Sequence, residues 1–407
     1  MLKTLKSISA PLASLVILLL GSGLFTTYMT VRLRMEGYDS SVAGYVTAAY
    51  YVGLFLGSFR GEKIISRLGM VPSYALFAAL VSVIVLLQGL FLDPWFWVFM
   101  RFLVGLCNAA LFIILESWFL MKSTKESRGK ILSVYMIVFY GAVATGQLLL
   151  DSSDPRSFVP FATIAALSSL SILPLAFIKR TDQQTCEPSF LHITTLFKAS
   201  PLGFLGCIIS GVLLGTTFGL APSYAKELQM NLSEIGFFMS LTILGGLALQ
   251  WPLGQLSDHI DRSKVIALAS FATFISSLLI VFMGNSLPGI LLMLAFLYGG
   301  FSFTLYPLCL SYSCDFLNPK DFVAASGGLQ IAYGLGAVIG PMTAPFSMEA
   351  FGPGGLYLYF AAISLLFGMG VILTRGKKIA LAKKTQVPFV PLPEIPVASD
   401  LKKPDKK

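Results

Sequence analysis

Charge is scarce along this chain. Asp, Glu, Lys and Arg make up 12% of 407 residues, about half the roughly 25% of an ordinary soluble domain. So few charges cannot cover a water-facing surface, which excludes a soluble globular protein. Histidine occurs only twice, at His192 and His259, each remote from a ligand set, and there is no H-E-x-x-H. The five cysteines (Cys107, Cys186, Cys207, Cys309 and Cys314) show no C-x-x-C spacing, which argues against a zinc site or a disulfide framework. No G-x-x-x-x-G-K-[ST] loop is present to cradle ATP phosphates. Nor does any nucleophile stand beside a base. The reading is therefore of a non-enzyme, with no catalytic residue, metal or cofactor. The net charge of +9 lies in short loops and the tail with no aromatic-basic platform, so nucleic acid is not a partner.

What the chain does have is apolar surface. Hydrophobic residues make up 56% and mean hydropathy is +0.79. Apolar runs recur near the roughly 20 residues that cross the hydrocarbon core as helix. In lipid every backbone polar group must be bonded internally, so these runs must be helical. A transmembrane β-barrel would instead alternate over ten-residue segments. Spans are expected at about 10–31, 42–59, 71–92, 95–120, 131–150 and 158–178. After a longer connection they resume at 201–222, 235–256, 265–283, 287–311, 322–346 and 356–373. The second and twelfth are the weakest by length. The opening residues imitate a secretory signal, but a matching segment in the second half favours an uncleaved span.

Loop charge sets the orientation. Twenty-four of the 29 basic residues fall in segments that share a side with Lys3 and Lys6. The opposite loops hold only Arg32, Arg34, Arg156 and Lys226. The positive-inside rule then puts both termini in the cytoplasm. Residues 179–200 form a cytoplasmic inter-bundle loop, in which 190–198 has an apolar stripe suited to the inner interface. From 375 onward the Lys- and Pro-rich composition cannot bury a core, so a disordered cytoplasmic tail is expected.

The halves repeat. Ser41-Val42-Ala43-Gly44 aligns with Ser233-Glu234-Ile235-Gly236 at an offset of 192, which also puts Gly53 on Gly245. Phe102-Leu103-Val104-Gly105 aligns with Phe296-Leu297-Tyr298-Gly299 at 194, as do Pro94 with Pro288 and Gly146 with Gly340. A near-constant offset across several spans indicates duplication of a six-helix unit. Six is even, so both copies insert alike, an arrangement described for one large class of transporters. The predicted fold is an all-α polytopic membrane protein of twelve transmembrane helices. It forms two pseudo-symmetric six-helix bundles, 1–178 and 201–374.

Over residues 1–375 the chain resembles the major facilitator superfamily. Gly254, Asp258, Arg262 and Lys264 are similar to the family's G-x-x-x-D-R-x-G-R-R loop, with His259 and Asp261 replacing its first Arg and second Gly. The equivalent loop from Gly57 to Gly69 matches less well, with Gly61 where the Asp belongs. Arg101-x-x-x-Gly105 resembles the R-x-x-x-G signature common in proton-coupled members. The stretches ESWFLMKSTKESRGKILSVYM and LQWPLGQLSDHIDRSKV resemble a bacterial branch of the superfamily and supply no substrate. The resemblance implies a fourth span lining a central cavity, and an Asp258 that holds the cytoplasmic ends of the halves together. An Asp beside a helix N-terminus also gains from the dipole.

Residue patterns give the same span independent interest. Arg101, Gly105, Asn108, Phe112 and Glu116 fall within a sector of roughly 80° at 100° per residue. Ionisable groups facing lipid cost several kcal/mol, so this face should meet protein or water. Arg101 either serves the solute and proton pathway, is tied to backbone carbonyls, or snorkels outward. Glu116, roughly 22 Å further along, is a gate, a loop ion pair or a proton site. Gln147 and Gln330 are buried hydrogen-bonding candidates, which helix–helix bonds explain equally well. Tyr306 contacts solute or packs. Gly21, Ser22, Gly23 and Thr26 read first as packing positions. Ala295 stands where the repeat would put a second Arg101, so the cavity is expected to be electrostatically lopsided. Gly340-Pro341 and the prolines at 174, 252, 307 and 345 are expected to interrupt their helices.

The expected function is a secondary active transporter in the bacterial cytoplasmic membrane. It would move a small organic solute by alternating access, proton-coupled and of efflux type, as a monomer whose partners are solute, protons and lipid. The alternative is a non-transporting membrane receptor or scaffold that uses its basic tail. Two balanced halves favour the first.

Overall fold

The computed structural model describes residues 2–121, 128–176, 193–284, 288–317 and 322–374. The expected tail from 375 and most of the inter-bundle loop lie outside these. Among the described residues there are helices and no strands. The first half comprises α1 (Leu2–Met35), α2 (Ser40–Leu68), α3 (Met70–Leu90), α4 (Pro94–Met121), α5 (Arg128–Gln147), α6 (Val159–Leu170) and α7 (Leu173–Ala176). A short α8 (Ile193–Ala199) follows. The second half comprises α9 (Pro201–Glu227), α10 (Leu232–His259), α11 (Arg262–Met283), α12 (Pro288–Cys314), α13 (Phe322–Phe351) and α14 (Gly355–Thr374).

Eleven of these segments, counting α6 and α7 together, are long and apolar enough to cross a membrane. Helix α2, at 29 residues, makes the twelfth, with Thr47, Tyr50 and Tyr51 in place of an unbroken apolar run. The sixth span breaks at Ser171-Ile172, just before Pro174. By contrast α10, α12 and α13 run on through Pro252, Pro307, Pro341 and Pro345, so those prolines do not interrupt their helices as expected. Packed neighbours can re-satisfy the carbonyls that a membrane proline frees.

Local chemistry sets several ends. Asn231 accepts from the Glu234 backbone N–H while Glu234 accepts from that of Asn231, a capping box that starts α10. Asp261 caps α11 through the Ser263 backbone N–H at 2.9 Å. The helix N-terminus predicted for Asp258 therefore belongs to Asp261, while Asp258 occupies the last turn of α10. The Phe197 ring of α8 meets that of Phe204 edge to face, with centroids 5.7 Å apart.

The repeat appears at the level of single contacts. Within the first half α2 packs on α4, α1 on α5 and α3 on α6; within the second, α10 packs on α12, α9 on α13 and α11 on α14. A methyl group on Gly53 would strike the Phe102 carbonyl, and one on Gly245 that of Phe296. Likewise Gly105 abuts the Tyr50 carbonyl and Gly299 that of Thr242. Every member of these pairs maps onto its counterpart by the offsets of 192 and 194. Between the halves, α2 meets α13 and α5 meets α10, with α1 against α9 in the middle. There Gly44 abuts the Pro341 carbonyl and Gly236 that of Gln147, again related by the repeat.

Candidate functional site

A cavity of about 100 Å³ lies where α1, α2, α4 and α5 face α9 and α13. Its wall is largely aromatic: Tyr50 and Tyr51 from α2, Phe112 from α4, Phe139 and Tyr140 from α5, Phe218 from α9 and Tyr333 from α13. Arg101 is the one charged residue among the described residues lining it, and no carboxylate is there. Tyr140 and Phe303 approach across the halves with centroids 6.2 Å apart.

Arg101 is 3% exposed. Its Cζ lies 4.4 Å from the Phe25 ring centroid and 4.8 Å from that of Tyr50. Its Nε is buried without a hydrogen-bond partner, and no described residue pairs with it as an ion. The tie to backbone carbonyls weighed from sequence is not made among the described residues. Contacts with rings supply about 0.5–2 kcal/mol each, and a membrane-embedded arginine costs about 2.5–3.5 kcal/mol even on lenient scales. The rings recover part of that cost and leave the Nε–H unused.

Gln147, fully buried, accepts the Thr27 hydroxyl proton at Oε1. Its Nε2 has no partner, although the residue lines the cavity. Phe112 lines it as well and packs near Phe139, at 6.2 Å. Asn108 stands one step back, donating from Nδ2 to the Tyr50 hydroxyl at 3.3 Å. Glu116 lies further along α4 and apart from the cavity wall. One of its oxygens accepts from the Tyr135 hydroxyl at 3.3 Å, and the other is buried without a partner. Tyr306 packs behind the cavity, its ring 5.1 Å from that of Tyr333. Gln330 is half-buried on α13 and does not line the cavity. Of the seven pathway residues read from sequence, the cavity thus gathers Arg101, Phe112 and Gln147.

Sequence reading missed the α2 contribution. Thr47, Tyr50, Tyr51 and Leu54 recur at helical spacing and all line the cavity. The aromatic and hydroxyl content of the span least like an apolar run was the available signal. Ser22, Gly23 and Thr26, read first as packing positions, also line it.

One end of the bundle is fastened across the halves. Arg34 pairs with Glu227 at 2.9 Å, and Ser40 donates to Glu227 at 3.1 Å. Ser41 donates to Glu349 at 2.9 Å and Thr30 to the Gly219 carbonyl at 2.7 Å. The Ser233 hydroxyl donates to Asp151, which is exposed. A larger hollow of about 850 Å³ at this end includes Glu227 and Glu234, both already bonded as described.

The opposite end carries the loop signature. Arg262, 1% exposed, pairs with Asp258 at 2.9 Å and with Asp315 at 2.5 Å. It also donates to the Ser311 carbonyl at 3.1 Å. These bonds bind α10, α11 and α12 to one another within the second half. Gly254 is buried beside them and Lys264 is exposed. Asp315 had no motif to mark it.

Known proteins match this architecture. Residues 202–404 match the Major Facilitator Superfamily. The "Uncharacterized MFS-type transporter YcaD" of Escherichia fergusonii is 30% identical over 360 residues, covering 88% of this chain and 92% of that protein. Among solved structures, the nucleoside transporter NupG superposes with a TM-score of 0.79 at 13% identity, over 91% of this chain and all of that one. A D-xylose-proton symporter gives 0.71 at 15%, over 89% and 96%. The chain belongs to the major facilitator superfamily. It is a multi-pass membrane transporter of small molecules and not an enzyme.

Proposed function

We propose that this protein is a proton-linked secondary transporter that moves a small organic solute across a bacterial cytoplasmic membrane. Residues 1–178 and 201–374 rock as two units about the Arg101 cavity. The observation that carries this reading is the placement of that cavity. It lies between repeat-related halves, beside the paired close approaches of Gly44 to Pro341 and Gly236 to Gln147. Backbones in contact through glycine pivot without dragging side chains past one another. One chain supplies the whole cavity, so a monomer suffices.

The loop charges put the Lys3 end in the cytoplasm. The Arg34–Glu227 end then faces outward, and its bonds across the halves belong to an exterior-closed state. The Arg262 brace keeps the cytoplasmic ends of α10–α12 together while the halves move. Glu116 is the proton-carrying group in this reading. It is a buried carboxyl bonded to a hydroxyl rather than to a cation, so it gains or loses a proton without breaking an ion pair.

Proteoliposomes loaded with a pH-sensitive dye test the whole reading. Proton movement should follow addition of a transported solute, and an imposed pH gradient should drive solute uptake or release. Glu116→Gln should abolish gradient-driven movement while solute exchange persists. Gradient-driven flux that survives this change removes Glu116 from the mechanism, and solute flux indifferent to pH removes proton coupling altogether.

A further inference from the structure

We infer that the Arg101 cavity takes a small organic monoanion: an acidic group, such as a carboxylate, on an apolar body of about one ring. The inference rests on the cavity being the solute site of a transporter, and it names the chemistry of that solute.

Arg101 is a buried cation, and no described carboxylate serves it as counterion. Glu116 is bonded to Tyr135, Glu227 to Arg34, and Asp258 and Asp315 to Arg262. Phe25 and Tyr50 hold the guanidinium through their rings, an attachment that consumes no N–H. The second unused polar group on the cavity wall is also a donor. Thr27 occupies Gln147 Oε1, which leaves Nε2 without a partner. Two unused donors, one of them charged, and no lining carboxylate call for an acceptor-rich anion. A guanidinium–carboxylate pair in such a site forms short, charge-assisted bonds.

Charge and size narrow the class further. A single cation balances a single negative charge; a dianion would leave one uncompensated charge in low dielectric, and a cationic solute would be repelled. Phe112, Phe139, Phe218 and Tyr333 offer ring faces to an apolar body. A volume of about 100 Å³ suits one ring rather than a fused polycycle.

The test uses the full-length protein in lipid nanodiscs near neutral pH with four matched probes: benzoate, benzamide, benzylamine and acetate. Calorimetry or thermal shift should show benzoate binding at least about tenfold tighter than benzamide, the step expected of a charged hydrogen bond. Acetate should bind weakly for want of a ring, and benzylamine should not bind. Arg101→Gln should erase the preference for benzoate over benzamide. Gln147→Leu should weaken benzoate several-fold and preserve the order of the four. Benzamide or benzylamine matching benzoate on the unmodified protein overturns the inference, as does failure of all four to bind. The acid–amide comparison needs no mutant, so a misfolded variant cannot mimic either result. Labelled benzoate in proteoliposomes separates the two readings. Binding without flux keeps the anion site and sinks the transporter reading; flux of another solute without benzoate binding does the reverse.

Discussion

Two of the buried arginines, Arg101 in the first half and Arg262 in the second, have opposite surroundings. Arg262 stands between two carboxylates at one end of the second half, with a backbone carbonyl besides. Arg101 stands in the first half against two aromatic rings and, among the described residues, no carboxylate. The repeat puts Ala295 at the position equivalent to Arg101, and Met70 at that of Arg262. The halves therefore share a scaffold and differ at these two positions. The difference teaches what each cation is for. A charge whose partners come with the fold braces helices, whereas in our proposal a charge left without them is held ready for a partner from outside.

The sharpest way to break this contrast is to remove Arg262. Arg262→Leu leaves Asp315 buried and uncompensated, which should cost about 3–5 kcal/mol and lower the melting temperature of the purified protein by many degrees. An unchanged melting temperature would mean that the brace stabilises nothing. Next come the glycine crossings. Gly53→Ala and Gly245→Ala should each destabilise by about 1–3 kcal/mol through overpacking, and by similar amounts, because each meets the equivalent carbonyl. Unequal losses in a denaturation series would show that the scaffold is less symmetric than its contacts.

Arg101→Gln should behave in the opposite sense to Arg262→Leu. Without ligand the fold should gain about 1 kcal/mol, the embedding cost of the charge less its ring contacts, while solute flux is lost. A melting temperature that falls as far as in the Arg262 variant would make Arg101 structural. The smallest effect is expected at the fastened end. Glu227→Gln should weaken its closure by about 0.5–1 kcal/mol, seen as faster labelling of a cysteine placed in the cavity by an impermeant reagent added from outside.

Much of the scaffold was legible in the chain. Lipid imposes long apolar helices, and the offsets between Gly53 and Gly245 and between Gly105 and Gly299 translated directly into matching helix crossings. Arg101 and Gln147 were found because polar groups stand out in apolar runs. Asn108, Glu116 and Tyr306 shared the right helical phase, yet their side chains ended behind the cavity wall or beyond it. A sector of 80° fixes a face of a helix but not the depth at which a neighbour covers it. Tyr50 and Tyr51 escaped notice because an aromatic residue in a membrane helix faces lipid, protein or cavity with equal ease.

The sequence by itself determined the membrane class, the helix count and the duplication, because hydropathy, loop charge and repeat offset are local or additive properties of a chain. Only the tertiary structure decided the pairings: Arg34 with Glu227, Arg262 with Asp315, Thr27 with Gln147, and Arg101 with no carboxylate among the described residues. Those outcomes depend on which side chains from distant spans arrive within bonding distance. In helices apolar on every face, packing geometry alone settles that.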